Sequence, residues 1–238
     1  MSHRRAFTLI ELLVVVAIIA LLLAILLPSL AGARAQTKRV KCQANLRSIG
    51  HAVQFYLQDQ RDTFPDAPFY GCLGYIGRSQ YHILLGSQTP ESQRPMNRYF
   101  GVTDDTLGLG PQVEYKRNDA FECPADRGDA YFKLVGKYFV EHGTSYTYAS
   151  DSQLVFVPTF GILSCRNLRL AEIRYTSKKI VFQEPVFNPS FDLTDERAQW
   201  HDRGRHHGNL LFGDGHVEFQ FTRIIDPFAP PDENNTYY

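Results

Sequence analysis

The clearest pattern in the chain is a long apolar run near its beginning. From Phe7 to Leu27 there are 21 residues, and only Thr8 and Glu11 among them are polar. At a helical rise of about 1.5 Å per residue, this run can span a hydrocarbon core roughly 30 Å thick. The pattern predicts a transmembrane helix over residues 7–28, preceded by a short basic segment over residues 1–6.

The helix is predicted to continue past Pro28 as an amphipathic segment over residues 29–62. Pro28 removes one backbone hydrogen bond, but helix-compatible residues resume directly after it. Apolar side chains then follow the spacing of one helical face: Val40, Cys42, Leu46, Ile49, Val53 and Tyr56. The pattern fades before Pro65, so we expect one helix from about residue 7 to about residue 60, roughly 80 Å long. Gly50 lies on this helix and is expected to mark close packing.

The remaining residues predict short strands rather than alternating strands and helices. Strand-like runs cover residues 146–148, 154–157, 179–183, 208–212 and 216–221, and residues 168–173 fit either a strand end or a short helical turn. Asp214-Gly215 is a strong hairpin signal between the last two runs. A long helix packed on an antiparallel sheet is an α+β fold. We place this globular head at residues 63–225, and residues 64–120 within it show little pattern.

Composition narrows the functional classes. The chain has 25 basic and 25 acidic residues, so its net charge is zero. Without a basic stripe carrying interleaved aromatic residues, nucleic acid is not an expected partner. Thirteen Tyr and 17 Phe favour a sheet-rich head. Residues 226–238 are rich in Pro, Asn and acid, and this tail is predicted to be disordered.

Glu11 is the residue within the apolar run that points to function. A carboxylate in lipid costs several kcal/mol unless another group neutralises it, and a simple membrane anchor has no use for one. The position of Glu11 therefore predicts a partner for this side chain inside the membrane.

Residues 6–12, Ala-Phe-Thr-Leu-Ile-Glu-Leu, resemble the cleavage and methylation motif of type IV prepilins and type II secretion pseudopilins. The resemblance implies that a prepilin peptidase cuts between Ala6 and Phe7 and methylates the new amine of Phe7. That family usually has Gly where this chain has Ala6, a residue of similar bulk. It also implies that Glu11 pairs with the amine of Phe7 on a neighbouring subunit during assembly, and opposite charges attract strongly in low dielectric.

Further blocks are similar to a large bacterial prepilin-like family. They cover residues 41–50 with 64–65, residues 121–126, residues 145–148 and residues 205–217. The last block looks like that family's C-terminal signature, a His followed by nine residues and Asp-Gly, although the spacer here, from His206 to Asp214, has seven residues.

The resemblance implies a pilin-like fold and a structural subunit of a type II secretion pseudopilus or type IV pilus-like filament. Its partners would be the prepilin peptidase and other pilin-like subunits. The protein would be single-pass in the inner membrane, with its head in the periplasm or outside the cell. The alternative function is a tethered ligand- or metal-binding domain that uses the prepilin signal only for export and anchoring.

Two other interpretations of the N-terminus remain open. A cleavable secretory signal would use the basic leader, the apolar core and the small residues at 31–33. A plain single-pass anchor would use the apolar run alone. Glu11 disfavours both interpretations, because neither provides a partner for a carboxylate.

A cluster of His and Asp residues near the C-terminus suggests a metal site. The cluster contains His201, Asp202, His206, His207, Asp214 and His216. The candidate ligands among them are His206, His207, Asp214 and His216, and such groups suit Zn²⁺ or, through carboxylates, Ca²⁺. The competing interpretation is a turn at Asp214 with the histidines on a solvated strand face. The sequence contains no nucleophile elbow and no phosphate-binding loop, so an enzyme is not expected.

The chain has four cysteines, Cys42, Cys72, Cys123 and Cys165, and no two of them form a Cys-x-x-Cys motif. An even number in an exported domain permits two disulfides with three connectivities. A bridge from Cys42 would tie the helix to the head. Buried free thiols are the alternative.

Overall fold

The structure is a computed structural model that describes eleven segments of the chain. These are residues 9–65, 80–82, 87–89, 94–100, 119–128, 137–139, 143–148, 169–173, 175–184, 200–202 and 207–221. The leader at 1–6, the strand predicted at 154–157 and the tail at 226–238 lie outside them. So do Phe7, Cys72, Cys165 and His206.

One helix, α1, runs from Leu9 to Asp59 and contains 51 residues. It continues through Pro28, and beside the proline the hydroxyl of Ser29 donates to the carbonyl of Leu26 at 2.9 Å. Every described side chain from residue 9 to residue 38 is exposed. The helix predicted from the apolar run and the amphipathic run is therefore one continuous element.

The helix ends at a left-handed turn. Arg61 and Asp62 have φ values of 52° and 59°, and the amide of Asp62 donates to the carbonyl of Leu57 at 2.8 Å. The carbonyl of Asp62 then accepts from the amide of Leu170 at 2.7 Å, next to an isolated bridge between Thr63 and Arg169. Backbone hydrogen bonds therefore fix the exit from α1 against a second part of the head.

The head contains a four-stranded antiparallel sheet with its strands in chain order. Its strands are β3 (Thr147–Tyr148), β4 (Ile180–Gln183), β5 (His207–Phe212) and β6 (Val217–Phe221). A separate antiparallel pair is formed by β1 (Gln80–His82) and β2 (Ser87–Thr89). Among the described residues of the head, 3-10 helices cover Asn97–Phe100, Asp119–Phe121 and Leu170–Glu172.

The predicted hairpin joins β5 to β6. The amide of Gly215 donates to the carbonyl of Phe212 at 2.9 Å, and the amide of Phe212 donates to the carbonyl of His216 at 3.0 Å. Gly215 has a φ of 91°, which a residue without a Cβ adopts at little cost. The register then pairs Leu211 with Val217. The turn signal at Asp214-Gly215 thus predicted this element correctly.

The second half of α1 supplies one side of the core. Its buried residues recur at helical spacing and are Cys42, Asn45, Leu46, Ile49, Gly50, Ala52, Val53 and Leu57. Five of them, Cys42, Leu46, Ile49, Val53 and Leu57, pack in one cluster with Phe121, Tyr146, Phe182 and Leu211. Val40 was predicted to extend this face, but it is 51% exposed, so that prediction is wrong. Contact with the head begins at Arg39, whose guanidinium lies 4.5 Å from the ring centroid of Phe219.

The architecture confirms the predicted α+β fold with a pilin-like layout of one long helix and an antiparallel sheet. Strands were correctly predicted near residues 147–148, 180–183, 207–212 and 217–221. The ambiguous segment at 168–173 forms the short 3-10 helix Leu170–Glu172.

Gly50 of α1 packs closely against Leu211 of β5. A Cβ added at this position would lie 2.9 Å from Cδ1 of Leu211, which is itself 1% exposed. A Cβ at Gly32, on the same helix, would meet no atom within 4 Å. The close packing expected at Gly50 is therefore present, and it is made against β5 in the β5–β6 hairpin.

We predict that Gly50→Val lowers the free energy of unfolding of the head by about 1–3 kcal/mol, because the branched side chain would push Leu211 out of a packed core. The check is urea unfolding of the full chain in detergent micelles. Gly32→Val is the matched control, and we expect no change in the unfolding midpoint of the head. Equal midpoints for both variants would contradict the close approach.

Candidate functional site

The apolar half of α1 presents Glu11 in the first helical turn. Its carboxylate is exposed, and the large apolar side chains after it are exposed as well, from Leu12 at 56% to Leu27 at 61%. Among the described residues, α1 is the helix long and apolar enough to cross a membrane, and none of its most apolar stretch is buried within the chain.

The predicted C-terminal metal ligands are not gathered at one point by the residues that the structure describes. His207 opens β5, and its Nδ1 lies 3.1 Å from Oδ2 of Asp202. Asp214 and His216 lie at the opposite end of the hairpin, roughly 17 Å along the strand. His206 is outside the described residues.

Asp214 and His216 form a local pair at the turn. Nδ1 of His216 lies 2.5 Å from Oδ1 of Asp214, which also accepts from the amide of His216 at 3.1 Å. Slight burial raises the pKa of Asp214, but the hydrogen bonds and charge of His216 outweigh it, and the net shift is downward. The pair is local to the exposed turn of the hairpin.

A different group of ligand-type side chains meets where α1 joins the head. Cys42 of α1 and Cys123 form a disulfide with their Cα atoms 5.2 Å apart, and both residues are 0% exposed. Beside the disulfide lie Glu184, which follows β4, and His201. One ligand atom from each of the four residues lies within 4.8 Å of the others. We call these four residues the junction cluster.

Within the junction cluster, one ring nitrogen of His201 faces two groups. Its Nε2 lies 2.9 Å from Oε1 of Glu184 and 3.4 Å from Sγ of Cys123. The side chains of His201 and Glu184 are 1% and 2% exposed. The sequence patterns identified the two cysteines, but they did not associate them with Glu184 or His201.

Asn209 of β5 positions the carboxylate of Glu184. Its side-chain amide donates to Oε1 at 2.9 Å, and its backbone amide donates to Oε2 at 3.0 Å. The adjacent Tyr146 is 0% exposed, and its pKa lies well above the usual range because of burial and then the charge of Glu184. The carboxylate is therefore held rigidly in a dry environment.

Asp126 organises the loop that carries Cys123. Its Oδ1 accepts from the amides of Gly128 and Tyr138 at 2.9 and 2.8 Å, and its Oδ2 accepts from the amide of Phe139 and the hydroxyl of Ser145, both at 2.7 Å. Burial raises the pKa of Asp126, although these four donors oppose the shift. One carboxylate thus joins three segments of the head.

Trp200 joins His201 to the same framework. Its Nε1 donates to the carbonyl of Gly128 at 3.1 Å, and its ring lies edge-on to that of Tyr138, with centroids 6.0 Å apart. The loop around Cys123 and the segment that carries His201 therefore share one support.

The disulfide closes a loop with a sequence separation of 81 residues. A closure of that length stabilises the fold by about 4.5 kcal/mol in the chain-entropy treatment. Since Cys42 is on α1 and Cys123 is in the head, the bond couples the amphipathic half of the helix to the globular part.

We predict that Asp126→Asn lowers the free energy of unfolding by roughly 2–4 kcal/mol, because either amide orientation turns an NH₂ group toward two donors. The urea midpoint of the full chain in micelles measures the loss. The control is Asp214→Asn, at an exposed turn where Asn-Gly is equally favoured, and we expect it within about 0.5 kcal/mol of the parent. Similar losses in both variants would count against this role for Asp126.

The comparisons with known proteins concern the N-terminus. The family model described as "Prokaryotic N-terminal methylation motif" matches residues 1–27. No curated protein and no solved structure matches the chain. The match confirms the resemblance predicted from residues 6–12, and it does not reach the C-terminal signature, which stays a prediction. The chain thus carries the type IV prepilin-like signature at the start of a membrane-length helix that continues into an α+β head.

Proposed function

We propose that this protein is a structural subunit of a type II secretion pseudopilus or type IV pilus-like filament, and not an enzyme. A prepilin peptidase would cut between Ala6 and Phe7 and methylate the amine of Phe7. The mature chain would be anchored once in the inner membrane by the first half of α1, with its head outside the cytoplasm.

The observation that carries this proposal is the surface of α1. All described side chains before Arg39 are exposed, and most of those up to Leu30 are large and apolar. The head covers only the second half of the helix, so the first half needs lipid or other apolar helices around it. A filament subunit uses both environments, lipid before assembly and neighbouring helices afterwards.

Glu11 would give the apolar surface a specific contact with a neighbouring copy. A carboxylate in lipid costs several kcal/mol, and pairing with a positive amine at the same depth offsets that cost. Cutting before Phe7 would create such an amine four residues from Glu11 along the chain. In a stack of parallel helices, the amine of one copy can reach the carboxylate of the next, and this pairing would fix the stagger between subunits.

The disulfide supports the proposed location of the head. Disulfides persist in oxidising compartments and are rare in the cytosol, where thiols are kept reduced. A bond between Cys42 and Cys123 lies beyond the apolar half of α1, on the side of the head. This fits a head that is exposed to the periplasm or the cell exterior.

The alternative of a tethered binding domain shares the same signal and the same anchor. It differs in having no need for contact between copies of α1, so it gives Glu11 no role in the membrane. Contact between the α1 helices of neighbouring copies is therefore the observation that distinguishes a filament subunit from a tethered domain.

We predict that mass spectrometry of the protein isolated from its native membrane finds a mature N-terminus at Phe7, heavier by one methyl group. Loss of residues 1–6 with methylation requires a prepilin peptidase. An N-terminus near residue 34 would instead indicate signal peptidase, and an intact leader would indicate a plain anchor; either result contradicts the proposal.

We predict that Glu11→Gln lowers association between copies at least about tenfold, because it leaves the amine of Phe7 uncompensated in low dielectric. The readouts are the yield of cross-links between copies carrying Val14→Cys and the amount of protein in sheared filaments. Cleavage and methylation at Phe7 should be unchanged.

Glu11→Asp is the matched control, since it keeps the charge and shortens the side chain by one methylene. We expect it to retain more association than Glu11→Gln. Equal cross-linking in the parent and in Glu11→Gln, with normal processing, would refute assembly through Glu11 and favour the tethered domain.

A further inference from the structure

The junction cluster contains more chemistry than a structural disulfide needs. A disulfide is neutral, and it requires neither a carboxylate nor an imidazole beside it. Nevertheless, Glu184 and His201 bring both groups against the Cys42–Cys123 bond with side chains that are 2% and 1% exposed. Burying such groups is costly unless their polar atoms serve an interaction.

The geometry does not fit a proton relay. In a triad of the hydrolase type, the carboxylate contacts one ring nitrogen and the nucleophile contacts the other. Here the same atom, Nε2 of His201, faces both Oε1 of Glu184 and Sγ of Cys123, at 2.9 and 3.4 Å. Atoms that converge on a shared point in this way are arranged like the ligands of one metal ion.

The types of ligand in the junction cluster indicate which metal ion would bind. Two thiolates, one imidazole nitrogen and one carboxylate oxygen make a four-membered N/S/O set of the kind that binds Zn²⁺ tetrahedrally. Such a site spaces its two sulfurs by about 3.8 Å. Cysteines with Cα atoms 5.2 Å apart can reach that spacing by side-chain rotation once the sulfurs are no longer bonded to each other.

The surroundings of Glu184 match those of a metal ligand. Ligating side chains are normally oriented by hydrogen bonds from an outer shell. Both amides of Asn209 hold the carboxylate of Glu184, and Trp200, the residue next to His201, donates to the carbonyl of Gly128. The four ligands come from four separate segments, so one ion would join α1, the loop at 119–128, the end of β4 and residues 200–202.

We propose that the junction cluster is a redox-controlled zinc site with two exclusive states. In the oxidised state, Cys42 and Cys123 form the disulfide. In the reduced state, the two thiolates, Nε2 of His201 and Oε1 of Glu184 bind one Zn²⁺. Both states link α1 to the head, and neither depends on whether the protein assembles into a filament.

Electrons and protons balance in the conversion between the two states when the redox partner is a dithiol or a disulfide. A dithiol reductant supplies two electrons and two protons, which break the S–S bond and give two thiols, and the reductant itself becomes a disulfide. Binding of Zn²⁺ then displaces the two thiol protons. In the reverse direction, a disulfide oxidant accepts two electrons from the thiolates, the Cys42–Cys123 bond forms and Zn²⁺ is released.

The test uses the full chain in detergent, with Cys72→Ser and Cys165→Ser to remove the other two cysteines. The protein is reduced with a phosphine, freed of reductant without air, and loaded with Zn²⁺ or with Co²⁺ as a spectroscopic probe. After gel filtration, we expect one Zn²⁺ per reduced chain and none per oxidised chain. Co²⁺ should give a tetrahedral spectrum with thiolate charge transfer, and Zn²⁺ should protect Cys42 and Cys123 from alkylation.

His201→Ala and Glu184→Gln should each weaken Zn²⁺ binding at least about tenfold, because loss of an outer-shell partner alone already costs that much. His216→Ala, at the exposed turn, is the matched control and should bind as the parent does. Less than one tenth of an equivalent of Zn²⁺ on the reduced parent would overturn the proposal. Equal affinity in His201→Ala and His216→Ala would also overturn it. If the ligand variants fail to fold, the Co²⁺ spectrum and the alkylation pattern of the parent decide.

Discussion

The structure depends on one continuous helix whose two halves suit different surroundings, an apolar phase for the first half and water for the second. Its first half carries apolar side chains on every face, which water does not tolerate and the head does not cover. Its second half has one buried face and one wet face, as a water-exposed head requires. The division falls near Arg39, where contacts with the sheet begin. The head can therefore fold on the second half of α1 independently of how the first half is buried, and α1 connects the two parts.

The head buries the apolar face of the second half of α1 by packing a sheet of short strands against it. The β5–β6 hairpin packs closely against Gly50, and the side-chain amide of Gln54 donates to the carbonyl of Gly213 at 3.3 Å, so that the turn is held as well. The described strands contain two to six residues each, and such short strands need support from elsewhere. Buried polar groups supply it, since the carboxylate of Asp126 accepts hydrogen bonds from separate segments of the head and that of Glu184 accepts from Asn209 of β5.

Sequence patterns predicted those parts of the fold whose physics is local. Helical periodicity identified the buried face of α1, and Asp214-Gly215 identified the hairpin, because both signals lie within a few residues. Val40 was misplaced because periodicity cannot tell where along a face the head begins. The junction cluster was missed for a different reason. Glu184 and His201 reach the cysteines through the sheet and the loop framework, and no spacing in the sequence encodes that proximity. The informative signal was a lone acid directly after an apolar strand.

The position of Cys42 has a mechanical consequence. It lies about 50 Å along the helix from Leu9, close to the point where the head begins. Tension applied to the membrane end of α1 therefore reaches a covalent bond to Cys123 before it reaches the dispersion contacts along Leu46, Ile49 and Val53. A load that would peel a helix from a sheet one turn at a time is instead delivered to the loop held by Asp126. The subunit can bear pulling along its axis without separating its two parts.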